Sequence, residues 1–133
     1  MTTTWIDTSA FMAVLNTAEY NHPAAKDCWI TLLERKTKLI CNSYVLLETL
    51  ALIQRRLGLE AVRDFQQDIM PLLQVEWLQF AQHLSAINFL LSTNRRQLSL
   101  VDCASFETMR RLGIRQAFTF DKHFAEQGFE VIP

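Results

Sequence analysis

The sequence predicts an α/β fold, a three-layer α/β/α sandwich built on a central parallel five-stranded sheet. Three observations lead there. Five short, β-rich apolar runs alternate with longer segments of helical periodicity, so successive strands need crossover connections and must lie parallel. Half of the residues are hydrophobic, enough to cover both faces of such a sheet. Acidic residues recur just beyond several of the runs, and parallel sheets collect their sites at the carboxyl ends of strands.

Thr3 to Asp7 reads as the first strand, and Thr8 and Ser9 open a helix whose apolar face is Phe11, Met12, Val14 and Leu15. Asn21, His22 and Pro23 interrupt the pattern. Helix resumes over Ala24 to Lys36, with Ala25, Cys28, Trp29, Leu32 and Leu33 on one side. Lys38 to Cys41 is the second strand. Asn42 and Ser43 are capping residues for a helix over Tyr44 to Arg56, with Leu46, Leu47, Leu50 and Ile53 directed inward and Gly58 ending it. A further helix runs from Leu59 to Asp68 and closes at Pro71. Leu72 to Glu76 is the third strand, and Leu78 to Leu91 a long helix followed by a polar loop, Ser92 to Gln97. Ser99 opens a helix that reaches Leu112 and stops at Gly113, a glycine suited to the left-handed position after a helix. Gln116 to Thr119 is the fourth strand, Asp121 to Glu126 one or two helical turns, and Phe129 to Ile132 the last strand.

A length of 133 residues is that of one domain, spanning 1–133, with no internal repeat and no low-complexity stretch. No apolar run approaches the roughly 18 residues that cross a bilayer, and Met1 to Ile6 has no secretory pattern, so a cytoplasmic protein without a membrane partner is expected. Cys28, Cys41 and Cys103 are odd in number and form no close pair, which points to small buried hydrophobes rather than disulfides or zinc ligands. The net charge of −1 is not the strongly basic balance of a general nucleic-acid binder. With four of the 14 acids neutralised, however, the 13 basic residues leave a balance of +3. Arg55 and Arg56, Arg95 and Arg96, and Arg110 and Arg111 are adjacent pairs suited to phosphates or, equally, to solvated helix faces.

Asp7, Glu48, Asp102 and Asp121 are the candidate site. Taken singly, Asp7, Asp102 and Asp121 are explained as well by helix capping, Asp102 standing three residues after Ser99 in a capping-box pattern. Glu48 is the only charged residue between Tyr44 and Ile53, and an isolated carboxylate beside an apolar face must be solvated, paired or bound to a cation. Taken together, the topology brings the acids to neighbouring strand and helix ends. Two like charges about 5 Å apart repel by about 3 kcal/mol at an effective dielectric near 20, so a counter-ion is expected. Carboxylate oxygens suit Mg²⁺ or Mn²⁺. Such an ion activates water and orients it toward a phosphodiester, with Asp7, Asp102 and Asp121 chiefly holding metal and Glu48 ligating or positioning water. Thr8, Ser9 and Thr119 would fix the carboxylates.

These residues resemble the PIN-domain ribonucleases, especially the toxins of bacterial toxin–antitoxin pairs. The resemblance is carried, over nearly the whole chain, by Ile6 to Phe11, Glu48-Thr49-Leu50, Leu98 to Phe106, and Phe118 to Phe124. It implies the PIN-like three-layer fold, Mg²⁺- or Mn²⁺-dependent cleavage of RNA, a cognate antitoxin and a homodimer. It also implies metal-binding and catalytic roles for Asp7, Glu48, Asp102 and Asp121, with Ser9 and Thr119 assisting at the cofactor. The alternatives within the family are a stand-alone RNA-processing nuclease and an RNA-binding or scaffold domain without catalysis.

Phosphate-handling relatives such as receiver domains or haloacid-dehalogenase-type phosphatases also place an Asp after the first strand. Here no second acid follows Asp7 two positions on and no lysine ends the fourth strand. Gly58, Gly113 and Gly128 are the only glycines, which excludes a phosphate-binding P-loop. His22, His83 and His123 read as exposed, and Trp5, Trp29 and Trp77 as core or dimer contacts. A groove near Trp29 and Leu46 is a candidate seat for an antitoxin segment.

Overall fold

β1 lies at the centre of the sheet because the chain leaves it in one direction and later returns to its other side. In the computed structural model, which describes residues 2–133, the strands are β1 (Thr3–Ile6), β2 (Lys38–Asn42), β3 (Leu73–Glu76), β4 (Gln116–Phe118) and β5 (Glu130–Ile132). All pairs are parallel, in the order β3-β2-β1-β4-β5. The helices are α1 (Thr8–Leu15), α2 (His22–Glu34), α3 (Ser43–Leu57), α4 (Leu59–Asp64), α5 (Phe80–Thr93), α6 (Leu100–Leu112) and α7 (His123–Glu126). The crossovers β1 to β2 and β2 to β3 advance one way along the sheet, and β3 to β4 runs back. Right-handed connections therefore send their helices to opposite faces. The expected fold class is the one observed.

Local sequence explains most element ends. Asp7, Asn42 and Ser99 each cap the helix that follows with a side-chain oxygen. Gly113 takes φ 71 after α6, the left-handed position expected of it, where a side chain would be strained. The expected helix to Asp68 is divided: after Asp64 the chain widens into a π-turn over Phe65–Ile69 and tightens over Met70–Leu72. Both ends of that π-turn, Phe65 and Ile69, are buried, and Phe65 meets Phe11 edge-on at 5.4 Å between ring centroids. Core packing thus sets the local winding against ideal α geometry.

The core runs along the strands and the inner helix faces, with Trp5, Ile6, Phe11, Ile53, Phe106, Phe118 and Phe124 almost fully buried. Cys41 and Cys103 belong to it, and Cys28 is half-buried at its edge. Burial pushes the Cys41 thiol up to about 12, in keeping with an inert hydrophobe.

Two expectations need correction. Leu47 was expected to face inward but is 70% exposed, because Leu46 beside it takes the inward position. Leu46 is buried, and Trp29 packs partly buried against the same core. Trp77 stands largely exposed beyond β3, so of the two roles expected of it only the core one falls away. His123 is buried, since α7 folds back onto β5 and its imidazole meets Glu126 at 3.0 Å. Among the described residues no helix is long and apolar enough to cross a membrane.

Candidate active site

The four acids arrive at one place from four elements. β1 and β4 are neighbours in register Ile6 to Phe118, so Asp7 and Thr119, one residue beyond each strand, stand side by side at the switch point of the sheet. Asp121 follows two residues later. Glu48 lies in the second turn of α3, and Asp102 in the first turn of α6. Asp7, Glu48, Asp102 and Asp121 all line a single open cavity of about 380 Å³, with Thr8, Ser9, Ser99 and Phe120.

Asp7 is the most constrained of the four. Its side chain is 5% exposed, and one carboxylate oxygen, Oδ2, accepts from the Ser9 hydroxyl at 2.7 Å, the Thr119 hydroxyl at 2.9 Å and the Ser9 amide at 3.4 Å. The two hydroxyls accept in turn from the backbone: Phe120 N–H donates to Ser9 Oγ at 2.9 Å and Asp121 N–H to Thr119 Oγ1 at 3.0 Å. The loop after β4 is thereby pinned to the start of α1. The other oxygen, Oδ1, receives no donor among the described residues, and burial pushes the Asp7 carboxyl above its ordinary range, helped by the charge of Asp121.

Asp102 accepts from Ser99 N–H at 3.3 Å while its own N–H donates to Ser99 Oγ at 3.0 Å, a complete capping box. Burial, then the charge of Asp121, push its carboxyl up to about 6. Asp121 accepts from His123 N–H at 2.9 Å and so holds the turn into α7. Thr49 donates to Thr8 at 3.2 Å, tying the turn that carries Glu48 to the turn after Asp7. Capping and site formation are therefore one arrangement, not competing readings of the same acids.

The residues fit a hard cation by donor chemistry: oxygen ligands only, an open lone pair on a clamped Asp7, and mutual repulsion that a cation would relieve. They do not form a finished chelate, since among the described residues no three acidic, His or Cys side chains converge as a ready-made metal site. Closing on an ion requires side-chain movement from these positions.

The sequence reading had not placed Glu19, Asn21, Leu52 or Arg56 here, yet all line the cavity. For Leu52 and Arg56 a signal existed, since they follow Glu48 at four-residue steps on one face of α3. Glu19 and Asn21 lie in the irregular α1–α2 connection, which has no periodicity to read.

An all-parallel sheet ordered β3-β2-β1-β4-β5, with carboxylates lining a cavity at its switch point, defines an α/β protein whose candidate site is acidic. Residues 5–130 match the PIN domain family, and the chain belongs to it. Over 131 residues it is 32% identical to the 23S rRNA-specific endonuclease VapC20 of Mycobacterium tuberculosis, covering 97% of this chain and 98% of that protein. The crystal structure of that toxin, described as Sarcin-Ricin loop cleaving, superposes with a TM-score of 0.86 over 98% of this chain and all of the other, at 31% identity. FitAcB from Neisseria gonorrhoeae shares the fold alone, with a TM-score of 0.70 at 12% identity over 97% of this chain and 96% of that one.

Proposed function

We propose that this chain is the ribonuclease toxin of a toxin–antitoxin pair, acting as a single metal-dependent domain on 23S ribosomal RNA, the substrate named for its M. tuberculosis relative. The kinship makes it a VapC-type endoribonuclease. PIN nucleases are generally metal-dependent. The observation that carries the mechanism is the clamp on Asp7: one oxygen fixed by Ser9 and Thr119, the other left free in the cavity that Glu48, Asp102 and Asp121 share.

Asp7, Asp102 and Asp121 would hold Mg²⁺ or Mn²⁺, with Glu48 as a further ligand or beside the attacking water. The ion supplies Lewis-acid activation of water and neutralises charge at the phosphodiester. The chain's own groups do the rest. Ser9 and Thr119 aim Asp7, and the backbone amides of Phe120 and Asp121 polarise those hydroxyls. Glu48 would take a proton from the attacking water as the water oxygen bonds to phosphorus; the bond between phosphorus and the ribose oxygen breaks, and that oxygen leaves with a proton taken from solvent. The full acid set counts against a scaffold role. A cognate antitoxin and a homodimer remain part of the proposal, on the strength of the toxin kinship.

The test is cleavage of ribosomal RNA and of a mixed RNA pool by purified protein with Mg²⁺ or Mn²⁺, against EDTA and an Asp7→Asn variant. Cutting that is lost in both controls is expected. Cutting that persists in EDTA, or in Asp7→Asn, would overturn the metal-site reading. Growth arrest on expression, present for the wild type and absent for Asp7→Asn, separates a toxin from a processing nuclease.

A further inference from the structure

A cavity lined by acids repels the polyanion it must bind, and one basic side chain is placed to offset that. Six arginines stand in adjacent pairs along the chain, and the structure sorts them. Arg95 reaches Glu126 at 3.4 Å, and Arg111 reaches Glu76 at 3.2 Å. Arg110 donates to the Gln127 side chain at 2.7 Å and lies over the Phe129 ring at 5.2 Å. Arg55, Arg56 and Arg96 have no side-chain partner among the described residues. Of these three, Arg56 alone lines the acid cavity, and it is the only basic residue that does.

We propose that Arg56 binds a backbone phosphate of the RNA next to the one being cleaved. This rests on the nuclease reading and names the substrate contact at that site. Glu48, Leu52 and Arg56 follow one another at four-residue steps and all line the cavity, so α3 forms one of its walls. At 1.5 Å per residue Arg56 lies about 12 Å along the helix from Glu48. No ion pair joins the two side chains among the described residues, so the guanidinium and the carboxylate are free to meet successive phosphates of one strand. A guanidinium there presents a planar fork suited to two phosphate oxygens. The plainer role of a cation in the last turn of α3 is to offset the helix dipole. Arg55 fills that role equally and is not among the residues that line the cavity, which makes it the internal control.

The test is fluorescence anisotropy with a labelled RNA stem-loop, in the non-cleaving Asp7→Asn background with Mg²⁺ present, over a series of salt concentrations. Arg56→Gln is expected to weaken binding about tenfold and to reduce the slope of log affinity against log salt by about 0.7, the contribution of one single-strand phosphate contact. Arg55→Gln is expected to leave that slope within error, and Arg56→Lys to recover the slope with only part of the affinity. Equal effects of Arg55→Gln and Arg56→Gln, an unchanged slope in Arg56→Gln, or no RNA binding in the parent would each overturn the proposal. Cleavage by the otherwise wild-type protein is measured alongside. If it is absent while the Arg56 effect on binding persists, the nuclease reading fails and the contact stands.

Discussion

The Thr119 hydroxyl donates to Asp7 Oδ2 at 2.9 Å across 112 positions of sequence, joining the residue after β4 to the residue after β1. Thr119→Val keeps the shape and removes the donor. Loss of a partner from a buried carboxylate is expected to cost about 1–3 kcal/mol of stability and about 10–100-fold in metal affinity. Thermal unfolding together with Mn²⁺ titration by calorimetry checks both. Unchanged metal affinity would mean that the hydroxyl serves the fold alone.

Asp102 gives a pH dependence whose direction is fixed by its raised carboxyl. The unfolded chain loses this proton near 3.8 and the folded chain near 6, so the folded state is favoured below about pH 4 and loses that advantage as pH rises to 6. Metal-free protein should therefore lose on the order of 1–2 kcal/mol from this group between pH 4 and 7. Asp102→Asn, which keeps a capping oxygen, should flatten the slope and raise the melting temperature at pH 7. A steeper slope in the variant would contradict this assignment.

The same carboxyl must be ionised to hold a cation. The rate of RNA cleavage at limiting metal is expected to rise between about pH 5 and 7, and the rising limb should move to lower pH as Mn²⁺ is increased. A limb indifferent to metal concentration would point to a different ionisation.

Glu48 and Asp7 should separate in their effects. Asp7→Asn is expected to abolish both metal binding and cleavage. Glu48→Gln should lower the cleavage rate by about 10²–10⁴ while metal affinity changes much less, as for a residue that moves a proton. Parallel calorimetry and single-turnover cleavage decide between them.

Trp5 is fully buried, and its indole N–H has no hydrogen-bond partner among the described residues. Its contribution is therefore packing alone. Trp5→Phe should cost clearly less than Trp5→Ala, for which about 3–5 kcal/mol is expected. Equal losses in denaturant unfolding would show that the N–H matters.

The fold was legible because hydrophobic period changes sharply between strands and helices, and because Asn42, Ser99 and Gly113 mark helix ends by chemistry that acts within a few residues. Asp7, Asp102 and Asp121 were legible for a related reason, each standing where a strand or turn enters a helix, and Glu48 because it is the one charge between Tyr44 and Ile53. What periodicity could not assign was which of two adjacent leucines, Leu46 or Leu47, turns inward, since a small rotation of α3 exchanges them. His123 was misread because its burial depends on where α7 settles against β5. Arg56 could be noticed as a basic residue, but its distinction from Arg55, Arg95 and Arg110 depends on partners far away in sequence.

The clamp on Asp7 also bears on the order of events during synthesis. Its first hydroxyl, Ser9, is made at once, and its second, Thr119, 110 residues after that. At the pace of translation that interval is on the order of ten seconds. Until β4 docks beside β1, a growing chain holds three of its acids without the contacts that aim the first, so the candidate site is finished only after Thr119 and Asp121 have been made.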